Sequence, residues 1–213
     1  MTDSTPPPLE LLTARTLAHY GDNAQSFWEG TRDHDVTQNY AALLGALGGT
    51  APLRLLDFGC GPGRDLVALK AMGHEVTGLD GSEQFVVMAR ELSGCLVLHQ
   101  NFLALDLGEQ RFDGIFANAS LFHVPRAEMP RVLGQLFSAL IPGGVLFCSN
   151  PRSFDHDREG FKGERYGSYL TIPSWLERIT AAGFTIEHHY LRPTGLQPSE
   201  QPWLAVVARK PVG

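Results

Sequence analysis

The segment Leu55-Leu56-Asp57-Phe58-Gly59-Cys60-Gly61-Pro62-Gly63 constrains the fold more than any other. A short apolar run closed by alternating glycines, followed by a helical pattern over 62–72, reads as a strand turning directly into a helix. Glycines let the chain turn tightly and let a ligand approach the backbone, and the first turn of a helix offers unpaired N–H groups. The rhythm continues downstream, with buried strands expected at 74–79, 95–99, 112–118 and 145–149 and helices at 82–92 and 126–140. Ser82 is the expected N-cap of the first of these helices, and Pro142-Gly143-Gly144 closes the second. Strands separated by helices imply βαβ crossovers, hence an α/β fold with a mainly parallel sheet covered on both faces. A last helix at 172–182 precedes strands at 184–190 and 203–209. Only a loop with Pro193, Gly195, Pro198 and Pro202 separates those two, so they are expected to pair antiparallel as a hairpin at one edge.

Ahead of this core, residues 1–52 read as a helical cap: a mobile tail to Pro8, helices at 9–20 and 39–47, and a polar stretch between them carrying Phe27 and Trp28. Residues 53–213 form the core, and the polar, glycine-rich insertion at 150–170 follows a strand's C-terminal end, where open α/β sheets place substrate loops. The chain of 213 residues has a net charge of −6 and no long basic run, which argues against a nucleic-acid or anionic-membrane partner and for a small-molecule substrate. Cys60, Cys95 and Cys148 lie in or beside apolar runs and read as small core side chains rather than a disulfide or metal framework. No metal-ligand spacing is present. No leader-like or membrane-spanning run is recognisable, so the cytoplasm is the expected location.

The spacing of the loop identifies the type of cofactor. Dinucleotide binding requires G-x-G-x-x-G, whereas here Arg64 occupies the sixth place and Asp57 stands two positions before the loop. An acid there suits a cationic amino-acid ligand better than a pyrophosphate. S-adenosylmethionine (SAM) is such a ligand, with a sulfonium and an α-amino group and no phosphate. Asp80 ends the second strand about 20 residues later, where a carboxylate accepts ribose hydroxyls. An NAD(P)-dependent oxidoreductase is the reading from another class, disfavoured by the missing third glycine, and a catalytically silent SAM-binding module is a third.

These words, together with Gly78-Leu79-Asp80, Phe112-Asp113-Gly114-Ile115 and Leu140-Ile141-Pro142-Gly143-Gly144, resemble the class I SAM-dependent methyltransferases over most of the chain. The resemblance implies a Rossmann-like, seven-stranded, mostly parallel sheet with an antiparallel last strand. It implies that Gly59, Gly61, Gly63 and Arg64 surround the methionine part of SAM and that Asp80, Gly81 and Ser82 hold the ribose. It further places Asn101 and Phe102 near the adenine and Asn118 near the methyl group.

A narrower resemblance rests on Asp35-Val36-Thr37-Gln38-Asn39, Leu98-His99-Gln100-Asn101-Phe102-Leu103, and the run from Phe116 through His123 to Arg126. Ser149-Asn150-Pro151-Arg152, Arg165-Tyr166-Gly167 and Gln201-Pro202-Trp203-Leu204-Ala205 extend it. Together these are similar to the methyltransferase domain of the ovothiol-biosynthesis enzyme 5-histidylcysteine sulfoxide synthase. Two positions depart from that domain: Phe161 stands where tryptophan is usual, and Ser199-Glu200 where a basic residue is common. The implied reaction is N-methylation of the imidazole ring of 5-thiohistidine supplied by a separate sulfoxide synthase; the alternative acceptor is another small thiol, amine or metabolite. On this reading His123, Asn118 and Phe122 lie at the reaction centre, with His123 orienting the acceptor or taking a proton. Arg152 grips a carboxylate, and Trp28, Asp35, Asn39, Asn150, Tyr166 and Tyr169 complete the substrate side.

Overall fold

The computed structural model describes residues 9–213; the tail expected up to Pro8 lies outside them. Among the described residues, nine strands form two sheets. The main one contains β1 (Arg54–Phe58), β2 (Glu75–Asp80), β3 (Leu96–His99), β4 (Phe112–Asn118), β5 (Leu140–Pro151), β8 (Thr185–Arg192) and β9 (Trp203–Arg209), in the order β3-β2-β1-β4-β5-β9-β8. Strands β1 to β5 pair in parallel, and β9 runs antiparallel to both β5 and β8. The expected antiparallel hairpin of the last two strands lies at one edge of the sheet, with β8 as the outermost strand and β9 inserted between β5 and β8. The centre of β9, Leu204 to Ala208, is almost wholly apolar and fully buried, as an interior strand requires.

Successive side chains of a strand point to opposite faces, and the core divides accordingly. Leu56, Ile115 and Ala117 pack with Val132, Leu133 and Leu136 of the helix Met129–Ala139 (α6) and with Trp175 and Ile179 of Ile172–Ala181 (α7). On the other face, Leu55 and Phe116 meet Leu43 of Thr37–Leu47 (α3), Leu66 and Leu69 of Arg64–Ala71 (α4), and Val86 and Ala89 of Glu83–Ser93 (α5). Cys148 belongs to the first cluster and Cys60 to the second, and all three cysteines are free thiols. Ser82 caps α5 as expected, its Oγ accepting from the Phe85 N–H.

Two regions differ from their sequence reading. The stretch around Phe27 and Trp28 is a helix, Ala24–Thr31 (α2), directly after α1 (Leu9–Asp22). The insertion at 150–170 is not a plain loop: Arg158–Lys162 (β6) and Arg165–Tyr169 (β7) form an antiparallel ribbon, with Phe161 opposite Tyr166. No helix of the described residues is long and apolar enough to cross a membrane.

Candidate active site

The chain runs outward from β1 through β2 to β3, then returns to place β4 on the other side of β1. That reversal leaves a crevice at the C-terminal ends of β1 and β4, the place where open α/β sheets bind ligands. A cleft of about 670 Å³, open mouth included, lies there. Gly59, Gly61, Asp80, Gly81, Asn101 and Phe102 line it from the sheet side. Ala119, Ser120 and His123 supply the β4 side, and Tyr20 and Phe27 roof it from α1 and α2.

The glycines do different jobs. Gly59 has φ of 78°, and a Cβ there would stand 2.4 Å from Ser120 Cβ, so the β1 and β4 turns meet only because that position is bare. Gly63 has φ of 102° and opens α4, and its absent Cβ would lie 2.9 Å from Ala89 Cα. It is thus a packing position between α4 and α5, outside the residues that line the cleft. Between them, the Gly61 N–H donates to Asp80 Oδ2 at 2.9 Å, while the Ser82 N–H donates to Asp80 Oδ1 at 2.9 Å. Burial pushes the Asp80 carboxyl up to about 6 against the pull of these donors. Phe102 is fixed by stacking on Phe58 at 4.2 Å, and the Asn101 side chain accepts from the Leu103 N–H and donates to Thr13 Oγ1.

Beneath the loop is a polar network that sequence reasoning only half anticipated. Arg64 donates to both oxygens of Asp65, at 2.7 and 3.0 Å, and to the Thr31 carbonyl at 2.9 Å. The Tyr40 hydroxyl donates to Asp65 Oδ1 at 2.5 Å and Asn118 Nδ2 to Oδ2 at 3.4 Å. Asn118 Oδ1 accepts from Asn39 at 3.0 Å, and Asn39 in turn accepts from Tyr190 at 3.2 Å. Arg64, Asn118 and Asn39, each expected beside a ligand, are therefore brought together by Asp65, Tyr40 and Tyr190, which were not anticipated. An acid in the first turn of a helix usually signals only a favourable helix start, so Asp65 carried no distinguishing mark. Asp57, on the same face, is 1% exposed and its Oδ2 has no hydrogen-bond partner among the described residues. Burial, together with Asp65 and Asp80, raises its carboxyl well above the usual carboxylate range.

On the β4 side, His123 follows β4 in a single 3-10 turn, Leu121–His123. Its Nδ1 lies 2.7 Å from the Tyr166 carbonyl and its Nε2 2.9 Å from the Tyr20 hydroxyl. A carbonyl only accepts, so Nδ1 carries the proton, and Nε2 accepts from Tyr20. Burial lowers the ring to about 4, and it is neutral at pH 7.

The remaining expected residues divide clearly. The Phe122 ring packs at 4.0 Å from His123 and beside Tyr169 and Trp203, and the Phe122 N–H donates to Asn150 Oδ1, so Asn150 clips the turn. Tyr166 contributes its carbonyl to His123, while its own hydroxyl donates to Glu159. Arg152 donates to the carbonyls of Gln201 and Pro198 and stacks on Phe154, which ties it to the turn before β9 rather than to the cleft. Asp35 is exposed and accepts from the Thr37 N–H at the start of α3. Trp28 is half-buried outside the cleft lining, where its neighbour Phe27 stands. The cleft residues that sequence reasoning missed include Phe27, Ala119 and Ser120. Ala119 has a left-handed φ of 59°, unusual for a side-chain-bearing residue and invisible in sequence.

The sequence matches the family model described as a methyltransferase domain over residues 28–189. This chain belongs to that methyltransferase family. The methyltransferase is 36% identical over 129 residues to 24-methylenesterol C-methyltransferase 2 of Oryza sativa subsp. japonica, a match covering 57% of this chain and 34% of the relative. It is 37% identical over 105 residues to trans-aconitate 2-methyltransferase of Variovorax paradoxus (strain S110), covering 46% and 38%. These matches span well under two thirds of the curated relatives' lengths. In fold it is similar to the Burkholderia thailandensis 1,6-didemethyltoxoflavin-N1-methyltransferase, with a TM-score of 0.82, 24% identity, and coverage of 98% of this chain and 93% of that one. The residues that line the cleft fit S-adenosylmethionine as a ligand. Gly61 leaves open cleft space where a Cβ would project, with Phe27 Cε1 at 3.7 Å as its nearest neighbour; Ser120 Oγ in the cleft wall is buried without a partner among the described residues, and an acid ends β2.

Proposed function

We propose that this methyltransferase moves the SAM methyl group to a ring nitrogen of a small planar heterocycle, with the imidazole of 5-thiohistidine as its acceptor. What supports the acceptor is the run from Phe116 to Arg126, whose words resemble the ovothiol methyltransferase domain and whose residues Ala119, Ser120 and His123 line the cleft. The aromatic walls formed by Tyr20, Phe27, Phe85 and Phe102 suit a flat ring. The Burkholderia neighbour is likewise named for methylation of a heterocycle's nitrogen, which supports the class of acceptor.

SAM supplies an activated methyl on a sulfonium, so the protein's part is alignment and exclusion of water. Asp80 and Gly81 would hold the ribose, Asn101 and Phe102 the adenine, and Gly59 and Gly61 the methionine part. The described part of the 1–52 cap acts through α1 and α2, whose Tyr20 and Phe27 close over the cleft. Incubation with SAM and 5-thiohistidine, followed by mass spectrometry, is expected to give an N-methylated product. Turnover of a different small thiol, amine or carboxylic acid, with thiohistidine left untouched, rejects this acceptor.

The Asp80 assignment carries its own pH signature. Ribose hydroxyls donate to a carboxylate, so binding favours the ionised form of a group that titrates near 6 without ligand. SAM affinity is therefore expected to fall as pH drops below about 6, approaching tenfold per pH unit for a single linked proton, an order-of-magnitude limit. Isothermal titration across pH 4.5–8 (an assay range of about three units) checks this, with Asp80→Asn expected to bind weakly and without that slope.

A further inference from the structure

We propose that Tyr20 is the catalytic group that takes the acceptor's proton, and that His123 acts through it as a positioning residue and proton store. The inference rests on the proposed methylation of a small N–H-bearing heterocycle. Its basis is a hydrogen-bonded line of one polarity: Tyr20 hydroxyl to His123 Nε2 at 2.9 Å, then His123 Nδ1–H to the Tyr166 carbonyl at 2.7 Å. The line begins in the cleft, which both Tyr20 and His123 border, and ends on the backbone of β7. With its own proton directed at Nε2 and the Arg165 side chain donating to the hydroxyl, the Tyr20 oxygen keeps one lone pair for a donor from the cleft. The Tyr20 ring is held edge-on by Phe27 at 5.4 Å and tilted against Phe85 at 5.5 Å, so the hydroxyl is fixed in place.

The acceptor's ring nitrogen uses its lone pair to form the new N–C bond while the sulfonium's S–C bond breaks and leaves its electron pair on sulfur. Positive charge appears on the ring, which makes its remaining N–H acidic. That proton passes to the Tyr20 oxygen as the Tyr20 proton passes to His123 Nε2, leaving a neutral methylated product and an imidazolium. Methylation acidifies the N–H, but His123 is a weaker base than an ordinary imidazole, so it holds the proton only in passing. The step is completed as the proton returns through Tyr20 to water when the cleft opens. Arg165 faces the Tyr20 hydroxyl and eases any anionic character there; Asp80 and Tyr169 face the same tyrosine and oppose it, His19 packs edge-on against its ring, and Arg165 also faces His123.

Tyr20→Phe keeps the ring packing, and His123→Gln keeps an acceptor for the hydroxyl without a site for the proton. Each is expected to lower kcat about 100-fold or more, in the range of a lost acid–base group, while SAM affinity by calorimetry stays within about threefold. The double variant is expected to be no slower than the worse single one, since the two act in series. Unchanged kcat in Tyr20→Phe, or a loss of SAM affinity as large as the loss of turnover, overturns the proposal. If the wild type methylates neither 5-thiohistidine nor a set of small N–H azoles, the acceptor reading fails. The relay is then decided by ¹⁵N NMR of histidine-labelled protein with S-adenosylhomocysteine. A neutral His123 protonated on Nδ1, whose Nε2 signal moves in Tyr20→Phe, supports it, and an Nε2–H or charged ring overturns it.

Discussion

Gly59→Ala is expected to abolish measurable SAM binding, a loss of about 100-fold or more, corresponding to roughly 3 kcal/mol. Two penalties act together. A left-handed conformation costs a side-chain-bearing residue about 1–2 kcal/mol. The new methyl would also stand 2.4 Å from Ser120 Cβ, and the nearest relief is to push the β4 turn across the cleft. Gly63→Ala is a built-in comparison, since its neighbour is Ala89 of α5 and not the cleft wall. That variant is expected to lower the melting temperature and to bind SAM nearly normally once folded. Calorimetry beside thermal melts separates the two outcomes, and retained SAM affinity in Gly59→Ala would contradict the placement of the cofactor.

The largest loss of stability is expected from Asp65→Ala. Asp65 is 6% exposed and holds the fork of Arg64, the Tyr40 hydroxyl and the Asn118 amide. Removing it leaves a mostly buried guanidinium and two side-chain donors unmatched. Breaking a buried pair in this one-sided way costs about 3–5 kcal/mol. Asp65→Asn retains part of the hydrogen bonding and is expected to cost about half as much, on the order of 2 kcal/mol. Urea unfolding monitored by circular dichroism measures both. A change below about 1 kcal/mol in Asp65→Ala, the typical effect of an arbitrary substitution, would show that the network does not knit α3 and α4 to β4.

The parallel core was legible because each of its strands is a short apolar run and each is punctuated by glycine or a capping residue. The Gly59 turn and Asp80 were legible for the same reason: close chain approach and a carboxylate at a strand end leave local marks. Elements whose shape depends on distant partners were not. The β6–β7 ribbon is polar and glycine-rich, with no alternation to expose it, and β9 takes its interior position only by pairing with β5, more than fifty residues earlier in the chain. The network of Asp65, Tyr40 and Tyr190 joins three separate elements and has no sequence signature. Arg152 shows the converse limit. Its residue type and its place after β5 suited an anion clamp, yet carbonyls across the sheet edge engage its guanidinium. His123 was legible as a residue at the cleft but not as the partner of Tyr20, because the two are 103 positions apart.

Isotope tracing tests transfer of a methyl group from SAM to a ring nitrogen without intermediate assumptions. The protein is incubated with methyl-labelled SAM and 5-thiohistidine, and the product is mapped by tandem mass spectrometry and NMR. Label is expected on an imidazole nitrogen, with S-adenosylhomocysteine formed in equal amount. Label on sulfur, or label reaching only acceptors of a different class, would contradict transfer to nitrogen.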